Sequence, residues 1–372
     1  MSQSRLTSLV QSLPATVPFV GPEEQERARG TPFAARLGAN ENGFGPSPLA
    51  IKAMQEASAD IWQYGDPSCH DLRHALAAHH DVPVASILVG EGIDGILGNL
   101  VRLFIGPGDA VVTSNGAYPT FNYHVAGFGG TLHKVDYNGD HEDLPALIDT
   151  AREVGAKLIY FANPDNPMGS WVPGRAIEAA LEAMPQGTLL ALDEAYVELA
   201  LDGTAPVIAP DDPRVIRLRT FSKAYGMAGA RIGYGIGAPE LIQSFDKIRN
   251  HFGVNRVAQA GALAALQDGA WLSHVQAHVI ASRARLAEIA TQNGLTALPS
   301  ATNFVTIDCG RDGDFARSVL AGMLAEGVFV RMPFVVPQDR CIRVGCGTPA
   351  DMDAVANALP KAVAQARLDT PK

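Results

Sequence analysis

The chain has 372 residues, of which 47% are hydrophobic and 18% charged, and its formal net charge is −10 at pH 7. This composition argues against a disordered chain, and the length favours one large and one smaller domain over a single domain. The negative charge disfavours non-specific nucleic-acid binding, although a local basic pocket could still hold a small anion.

The cysteines and the apolar runs bear on the compartment. Four cysteines are present, Cys69, Cys309, Cys341 and Cys346, and none belongs to a C-x-x-C pair. So few cysteines argue against a disulfide framework and favour a reducing compartment. Residues 1–20 lack the cationic start and apolar run of a signal peptide, and no apolar stretch has the length of a membrane span. The sequence therefore predicts a cytoplasmic protein with no membrane partner.

The pattern of elements along the chain predicts two domains and an arm. Residues 1–38 predict an N-terminal arm that contributes to the smaller domain and leads into the turn-rich residues 40–43. Between residues 39 and 257 short apolar strands alternate with amphipathic helical segments, which indicates a mostly parallel sheet covered on both faces. Residues 258–372 carry two long helical runs and then short strands, a pattern typical of a smaller α+β domain.

Histidines cluster on one predicted helix. His70 and His74 are four residues apart, a spacing that could place two metal ligands on one helix face. No H-E-x-x-H pattern and no further ligand cluster accompanies them. A solvated or packed helix is the better interpretation, and we expect no metal site.

Residues 90–95, Gly-Glu-Gly-Ile-Asp-Gly, fit the pattern G-x-G-x-x-G and follow a predicted strand. They raise the alternative of a nicotinamide- or flavin-dependent oxidoreductase. That interpretation also needs an acidic residue at the end of the next strand, about twenty residues on. The next strand, at 110–114, runs into Asn115-Gly116-Ala117 and offers none. The backbone N–H groups at this helix start could still bind a phosphate.

The most informative stretch surrounds Lys223, within residues 219–234. Small and apolar residues on both sides would desolvate its amine and lower its pKa, as a Schiff-base lysine requires. Ser222 and Arg231 supply a hydroxyl and a guanidinium suited to a phosphate. The nearby glycines let the backbone approach a ligand closely. The segment predicts a cradle for a phosphorylated aldehyde.

This segment resembles the lysine motif of class I/II aminotransferases of fold type I, which depend on pyridoxal 5'-phosphate (PLP). It is most similar to the histidinol-phosphate aminotransferase branch, whose members act in amino-acid biosynthesis, and the likeness runs from about Pro18 to about Leu359. The resemblance implies an α/β protein with a mostly parallel seven-stranded sheet in a large PLP-binding domain, plus the smaller α+β domain. It implies that Lys223 forms the Schiff base with PLP, and that Thr220, Ser222 and Arg231 lie at the cofactor.

Further cofactor contacts are implied by the same resemblance. Asp193, at the end of an apolar strand, would face the pyridine nitrogen, although a strand-end acid can also simply cap the next helix. Tyr196 and Asn166 would hydrogen-bond the phenolic oxygen. Asn166 belongs to residues 163–169, which are similar to the family's Asn-Pro-Thr-Gly turn with Met168 in place of Thr. Phe121 would stack on the ring, with a buried core aromatic as the alternative.

Backbone amides and a partner subunit complete the implied cofactor site. Gly92, Ile93 and Asp94 would donate their amides to the phosphate. Tyr64 would reach across a two-fold homodimer to the partner's cofactor phosphate.

The substrate side is implied by three further residues. Arg343 would hold an α-carboxylate, Arg331 the distal phosphate of histidinol phosphate, and Asn42 belongs to a substrate loop. Two departures from the branch, Phe19 in place of Tyr and the apolar residues 332–337, also favour an aromatic or apolar amino donor. The oxo acid would be 2-oxoglutarate or a similar compound, used in a ping-pong exchange.

Other functions stay open from the sequence alone. A decarboxylase of an amino-acid phosphate or a carbon–sulfur lyase could use the same cofactor on the same fold. A nicotinamide oxidoreductase is a more remote alternative. A non-catalytic regulator is disfavoured, because the chain carries no additional DNA-binding domain and is acidic.

Overall fold

The computed structural model describes residues 5–15 and 20–370, and its largest sheet has seven strands. The strands are β1 (Ala35–Arg36), β2 (Ile87–Gly90), β3 (Ala110–Ser114), β4 (Thr131–Val135), β5 (Leu158–Ala162), β6 (Leu189–Asp193), β7 (Val215–Thr220), β8 (Gly233–Gly237), β9 (Thr296–Ala297), β10 (Phe304–Asp308), β11 (Val328–Phe329) and β12 (Cys341–Gly345).

The helices precede, separate and follow these strands. The α-helices are α1 (Ser8–Ser12), α2 (Pro22–Arg29), α3 (Pro48–Ser58), α4 (His70–His80), α5 (Gly92–Phe104), α6 (Thr120–Gly127), α7 (Leu144–Val154), α8 (Gly174–Leu181), α9 (Pro239–Ser244), α10 (Arg256–Gln267), α11 (Gly269–Gln292), α12 (Gly313–Ala325) and α13 (Pro349–Asp369). Short 3₁₀ turns span Val84–Ser86, Val197–Leu199, Ala228–Ala230, Phe245–Lys247 and Gln338–Arg340.

The seven-stranded sheet has the order β2-β8-β7-β6-β5-β3-β4. From β4 to β7 neighbouring strands pair in parallel, whereas β8 pairs antiparallel with both β7 and β2. Every residue of β5 and β6 is buried, which explains why these strands are continuous apolar runs rather than alternating ones. The predicted mostly parallel seven-stranded sheet is confirmed.

Helices cover both faces of this sheet because side chains alternate along each strand. On one face Leu158 and Tyr160 of β5 belong to the same buried cluster as residues of α5 and α6. On the other face Ile159 and Phe161 share a cluster with residues of α7 and α8. Each strand of the centre is therefore covered from two sides.

Two smaller sheets form outside the central one. Strands β9, β10 and β12 make a three-stranded antiparallel sheet, and β1 pairs in parallel with β11. Helices α11, α12 and α13 pack around these strands in one buried cluster. The domain boundaries near residues 38 and 257 stay predictions, and the β1–β11 pairing supports placing the N-terminal arm with the C-terminal part.

The sheet brings distant segments to one edge. The parallel strands β5, β6 and β7 end in Ala162, Asp193 and Thr220, so the loops that follow them meet at the carboxyl edge, where open α/β sheets bind ligands. Thr220 pairs with Gly233 of β8, and Gly233 pairs with Gly90 of β2. The register therefore places the start of α5 beside the loop that follows β7. Within the described residues no helix has both the length and the apolar character of a membrane span.

Candidate active site

A cavity of about 1080 Å³ opens at this carboxyl edge. It is lined by loops after the parallel strands, by the start of α5, by the N-terminal segment and by residues around Arg331 and Arg343. The predicted site residues that line it are Ile93, Asp94, Asn166, Asp193, Tyr196, Thr220, Ser222, Lys223, Arg231, Arg331 and Arg343. Four predicted residues do not line it, namely Tyr64, Asn42, Gly92 and Phe121.

Lys223 carries its amine into the cavity. Its Nζ donates to the carbonyl oxygen of Asn40 at 3.2 Å and lies 5.6 Å from the centre of the Tyr196 ring. Burial lowers the pKa of Lys223 to about 8, and the positive charge of Arg343 acts in the same direction. Near neutral pH a larger fraction of this amine is therefore unprotonated than in an ordinary lysine, and attack on an aldehyde requires the unprotonated form.

Asp193 ends β6 as a buried carboxylate in the cavity wall. Its Oδ2 accepts from the Tyr160 hydroxyl at 2.7 Å, and its Oδ1 accepts from the amide of Ala195 at 2.9 Å. Burial raises the pKa of Asp193 to about 6, although both hydrogen bonds act against this. A cation that binds next to this carboxylate would recover much of the free energy that its desolvation costs.

An anion-binding corner forms where Ser222, Arg231 and the start of α5 meet. Arg231 Nη1 donates to Ser222 Oγ at 3.4 Å, and Arg231 Nη2 lies 3.8 Å from Asp94 Oδ2. Gly92 has φ +78°, a backbone conformation that favours glycine, and a Cβ there would lie 2.6 Å from Arg231 Nη2, so that the guanidinium would have to shift. The helix start, the hydroxyl and the guanidinium together suit a phosphate. Gly92 lies beside Arg231 at this corner but does not line the cavity.

The expected ring contact from Phe121 is not what the structure shows. Phe121 is fully buried in the core and stacks on Tyr160, with ring centroids 4.9 Å apart. Helix α6 begins at Thr120, so Phe121 already faces the sheet. Tyr118 precedes the helix, lines the cavity and donates its hydroxyl to Asp94 Oδ2 at 3.4 Å. Tyr118 therefore replaces Phe121 as the candidate for the ring contact.

The asparagine loop also differs from expectation. Asn42 donates to the carbonyl of Ala224 at 3.1 Å and accepts from the amide of Phe44, so its amide is used within the fold and does not line the cavity. Asn40 of the same predicted loop lines the cavity instead, whereas the sequence prediction had selected Asn42 from this loop as the site residue. Its Nδ2 donates to the Tyr196 hydroxyl at 3.0 Å.

Two arginines converge on one part of the cavity wall. Arg331 and Arg343 face each other in an antiparallel β-bridge. Arg343 donates to Asn166 Oδ1 and, at 2.8 Å, to the carbonyl of Gly38. Arg331 Nη2 donates to the carbonyl of Val20 at 2.8 Å. Burial lowers the pKa of Arg343 to about 10, and the charge of Arg331 contributes to this shift.

The remaining predicted residues lie away from the cavity or outside the described part of the chain. Tyr64 is 77% exposed and its ring lies 4.8 Å from that of Phe252. Phe19 lies outside the described residues. The rings of His70 and His74 are 4.0 Å apart, but among the residues that the structure describes no group of three metal-ligating side chains occurs.

The cavity fits PLP residue by residue. A desolvated amine at Lys223 suits the aldehyde, and the buried Asp193 suits a cationic ring nitrogen. The corner of Ser222 and Arg231 suits the phosphate arm, and Tyr196 with Asn166 offers polar groups on the remaining side. These groups come from three separate loops, after β5, β6 and β7, so their convergence is a property of the fold rather than of one motif.

Comparisons with known proteins agree with this geometry. Residues 35–359 match the family model described as aminotransferase class I and II. Histidinol-phosphate aminotransferase of Anaeromyxobacter is 40% identical over 329 residues, or 87% of this chain and 89% of that protein. The histidinol-phosphate aminotransferase of Moorella thermoacetica is 34% identical over 95% of this chain and 92% of that protein. The crystal structure of histidinol-phosphate aminotransferase from Sinorhizobium meliloti in complex with pyridoxal-5'-phosphate has a TM-score of 0.94 and 51% identity, with 98% of each chain covered.

The two aromatic residues can be separated by substitution. We expect Tyr118→Ala to weaken PLP binding roughly 2- to 10-fold, because an aromatic contact contributes about 0.5–1.5 kcal/mol. Phe121→Leu should lower thermal stability, because it removes packing on Tyr160, and should leave the PLP dissociation constant nearly unchanged. Absorbance titration of the apoprotein with PLP and thermal unfolding measure both effects. Weaker PLP binding in Phe121→Leu than in Tyr118→Ala would contradict the assignment.

Proposed function

This chain belongs to the class I and II aminotransferase family, and on that premise we propose that it transfers the amino group of histidinol phosphate to an oxo acid such as 2-oxoglutarate. The family, PLP as its cofactor and transamination as its activity were predicted from the sequence and are confirmed by the comparisons. The identity of the donor and the roles of individual residues are parts of the proposal.

The bridged pair of Arg331 and Arg343 carries the proposal for the donor. A phosphate monoester carries between one and a half and two negative charges, roughly, at pH 7, which two neighbouring guanidinium groups can neutralise. The single carboxylate of an apolar amino acid would leave the second guanidinium poorly compensated. The same pair also suits 2-oxoglutarate, because that co-substrate carries two carboxylates. The relatives from Anaeromyxobacter and Moorella thermoacetica are histidinol-phosphate aminotransferases, which supports the same donor.

The residues around the cofactor have distinct roles in this proposal. PLP, when bound, supplies the sink for the electrons left at the donor Cα after that carbon loses its proton. Lys223 moves this proton through its Nζ, and its lowered pKa suits a base near neutral pH. Asp193 keeps the ring nitrogen protonated. Asn166 and Tyr196 bind the phenolic oxygen. The phosphate is held by Thr220, Ser222, Arg231 and the amides of Gly92, Ile93 and Asp94.

Arg343 orients whichever substrate is bound. Its planar fork suits a carboxylate in a bidentate contact, and its hydrogen bonds to Asn166 and Gly38 restrict the guanidinium to one orientation. With the substrate anion anchored there, the donor Cα would be held in one orientation relative to Lys223 Nζ. Removal of the Cα proton by Lys223 is then favoured over loss of a different group from Cα.

An aromatic amino donor is the second candidate. Met332 and Phe334 line the cavity close to Arg331, and Phe334 is 67% exposed. This apolar rim suits an aromatic side chain, and the imidazole ring of histidinol phosphate also fits against it. Comparing the turnover of histidinol phosphate with that of phenylalanine separates the two candidates.

We further propose that the chain works as a two-fold homodimer. Ile61, Trp62 and Tyr64 are each more than 60% exposed, and Tyr64 contacts the exposed Phe252. Contiguous exposed apolar side chains mark interaction surfaces in soluble proteins. In the dimer Tyr64 would extend toward the cofactor phosphate of the partner subunit.

Sedimentation at micromolar concentration should report a dimer that Trp62→Glu dissociates, and a monomeric wild type would contradict this arrangement.

The donor prediction concerns Arg331. With 2-oxoglutarate as acceptor, we expect Arg331→Gln to lower kcat/KM for histidinol phosphate roughly 10- to 100-fold, since a hydrogen bond to a charged group contributes about 1.5–3 kcal/mol. The loss with phenylalanine as donor should be smaller, because phenylalanine offers no phosphate. Arg311→Gln is the matched control, since Arg311 also lies over a phenylalanine ring and donates to a carbonyl. Equal losses for both donors, or faster turnover of phenylalanine by the wild type, would contradict the proposed donor.

A further inference from the structure

Asn40 holds an unusual backbone conformation at the cavity wall. It is buried and has φ +55°, in the left-handed region that residues other than glycine seldom adopt. Its carbonyl oxygen accepts from Asn303 Nδ2 at 3.0 Å as well as from Lys223 Nζ. Asn303 also donates to the carbonyl of Glu41 and is itself anchored by the amide of Cys346. The backbone of Asn40 is therefore held by Asn303, a residue that does not itself line the cavity.

The side chain of Asn40 reaches a second group that faces the cofactor. Its Nδ2 donates to the Tyr196 hydroxyl at 3.0 Å, and its Oδ1 has no hydrogen-bond partner among the described residues. Because the Tyr196 oxygen accepts from this amide, its own proton is available to a different acceptor. A hydroxyl that accepts one hydrogen bond becomes a stronger donor in the next. One residue thus contacts both the amine and the phenol of the site.

We propose that Asn40 is a positioning residue, which directs the Tyr196 proton into the cavity through its side chain and locates the Lys223 amine through its carbonyl. This inference rests on the roles proposed for Tyr196 and Lys223 toward PLP. The left-handed backbone is what permits both contacts, because it turns the side chain and the carbonyl of one residue toward two neighbouring partners. Asn40 acts through Tyr196 and does not itself perform chemistry.

The spectroscopic consequence has a definite sign. A donor to the phenolic oxygen of PLP stabilises the negative charge on that oxygen, and so favours loss of the proton from the nitrogen of the Lys223 linkage. The absorbance of bound PLP changes when this proton is lost. A weaker hydrogen bond from Tyr196 should therefore raise the pH at which half of that absorbance change has occurred. One hydrogen bond corresponds to a shift of about 0.5–1 pH unit.

Three variants separate the side chain from the backbone. Asn40→Gly keeps the left-handed backbone and removes the amide, whereas Asn40→Asp keeps the shape and replaces the donor by an acceptor. Both should raise the absorbance midpoint by about 0.5–1 pH unit and lower kcat roughly 3- to 10-fold with little change in KM. Asn293→Asp is the control: it makes the same chemical change at the C-terminal cap of α11, and it should leave the midpoint unchanged.

A double-mutant cycle with Tyr196→Phe tests whether Asn40 acts through the phenol. In the Tyr196→Phe protein, Asn40→Gly should produce no further shift of the midpoint. Additive shifts, or a loss of thermal stability in Asn40→Gly with an unchanged midpoint, would overturn the proposal and leave Asn40 a purely structural residue. If the wild type turned over no donor, the proposed function would fail, but the absorbance midpoint would still decide the role of Asn40.

Discussion

Desolvation of one amine is the constraint on which the rest of this site depends. Lys223 lies in a cavity beside Arg343, and burial together with that positive charge keeps its amine partly unprotonated. Asp193 carries a comparable penalty as a buried carboxylate. Neither shift stabilises the fold, so the free energy that they cost is recovered only when a ligand offers an aldehyde to one group and a cation to the other.

Buried polar contacts hold the turn that carries Asn166 at the cavity. The turn that carries Asn166 is supported from below by Asp165, which accepts from Tyr137 at 3.0 Å and from the amide of Met168. Asp165 and the buried Glu142 lie together, and burial raises the pKa of both carboxyl groups. A proton retained between them would avoid two like charges in the interior. The Asn166 turn is thus supported by buried polar contacts rather than left as a mobile surface loop.

The sequence was sufficient where function depends on local segments. Lys223, Ser222 and Arg231 lie within one loop, and Asp193 ends an apolar strand, so the rule that ligands bind at the carboxyl edge of parallel strands brings them together. It failed where side-chain direction depends on backbone detail. The start of α6 at Thr120 turns Phe121 into the core and leaves Tyr118 at the cavity. In the asparagine loop, Asn40 with its left-handed backbone lines the cavity, whereas Asn42 does not. Tyr160 was missed because it contacts Asp193 from the neighbouring strand β5, a contact between two segments that are distant in the sequence.

The account is tested most directly by locating the lysine that bonds to PLP. Lys134 also lines the cavity and is the competing amine. Reduction of the PLP-loaded protein with borohydride, followed by digestion and mass spectrometry, should place the pyridoxyl group on Lys223. Recovery of the label on Lys134, or of no label in a protein that still transaminates, would contradict the central claim.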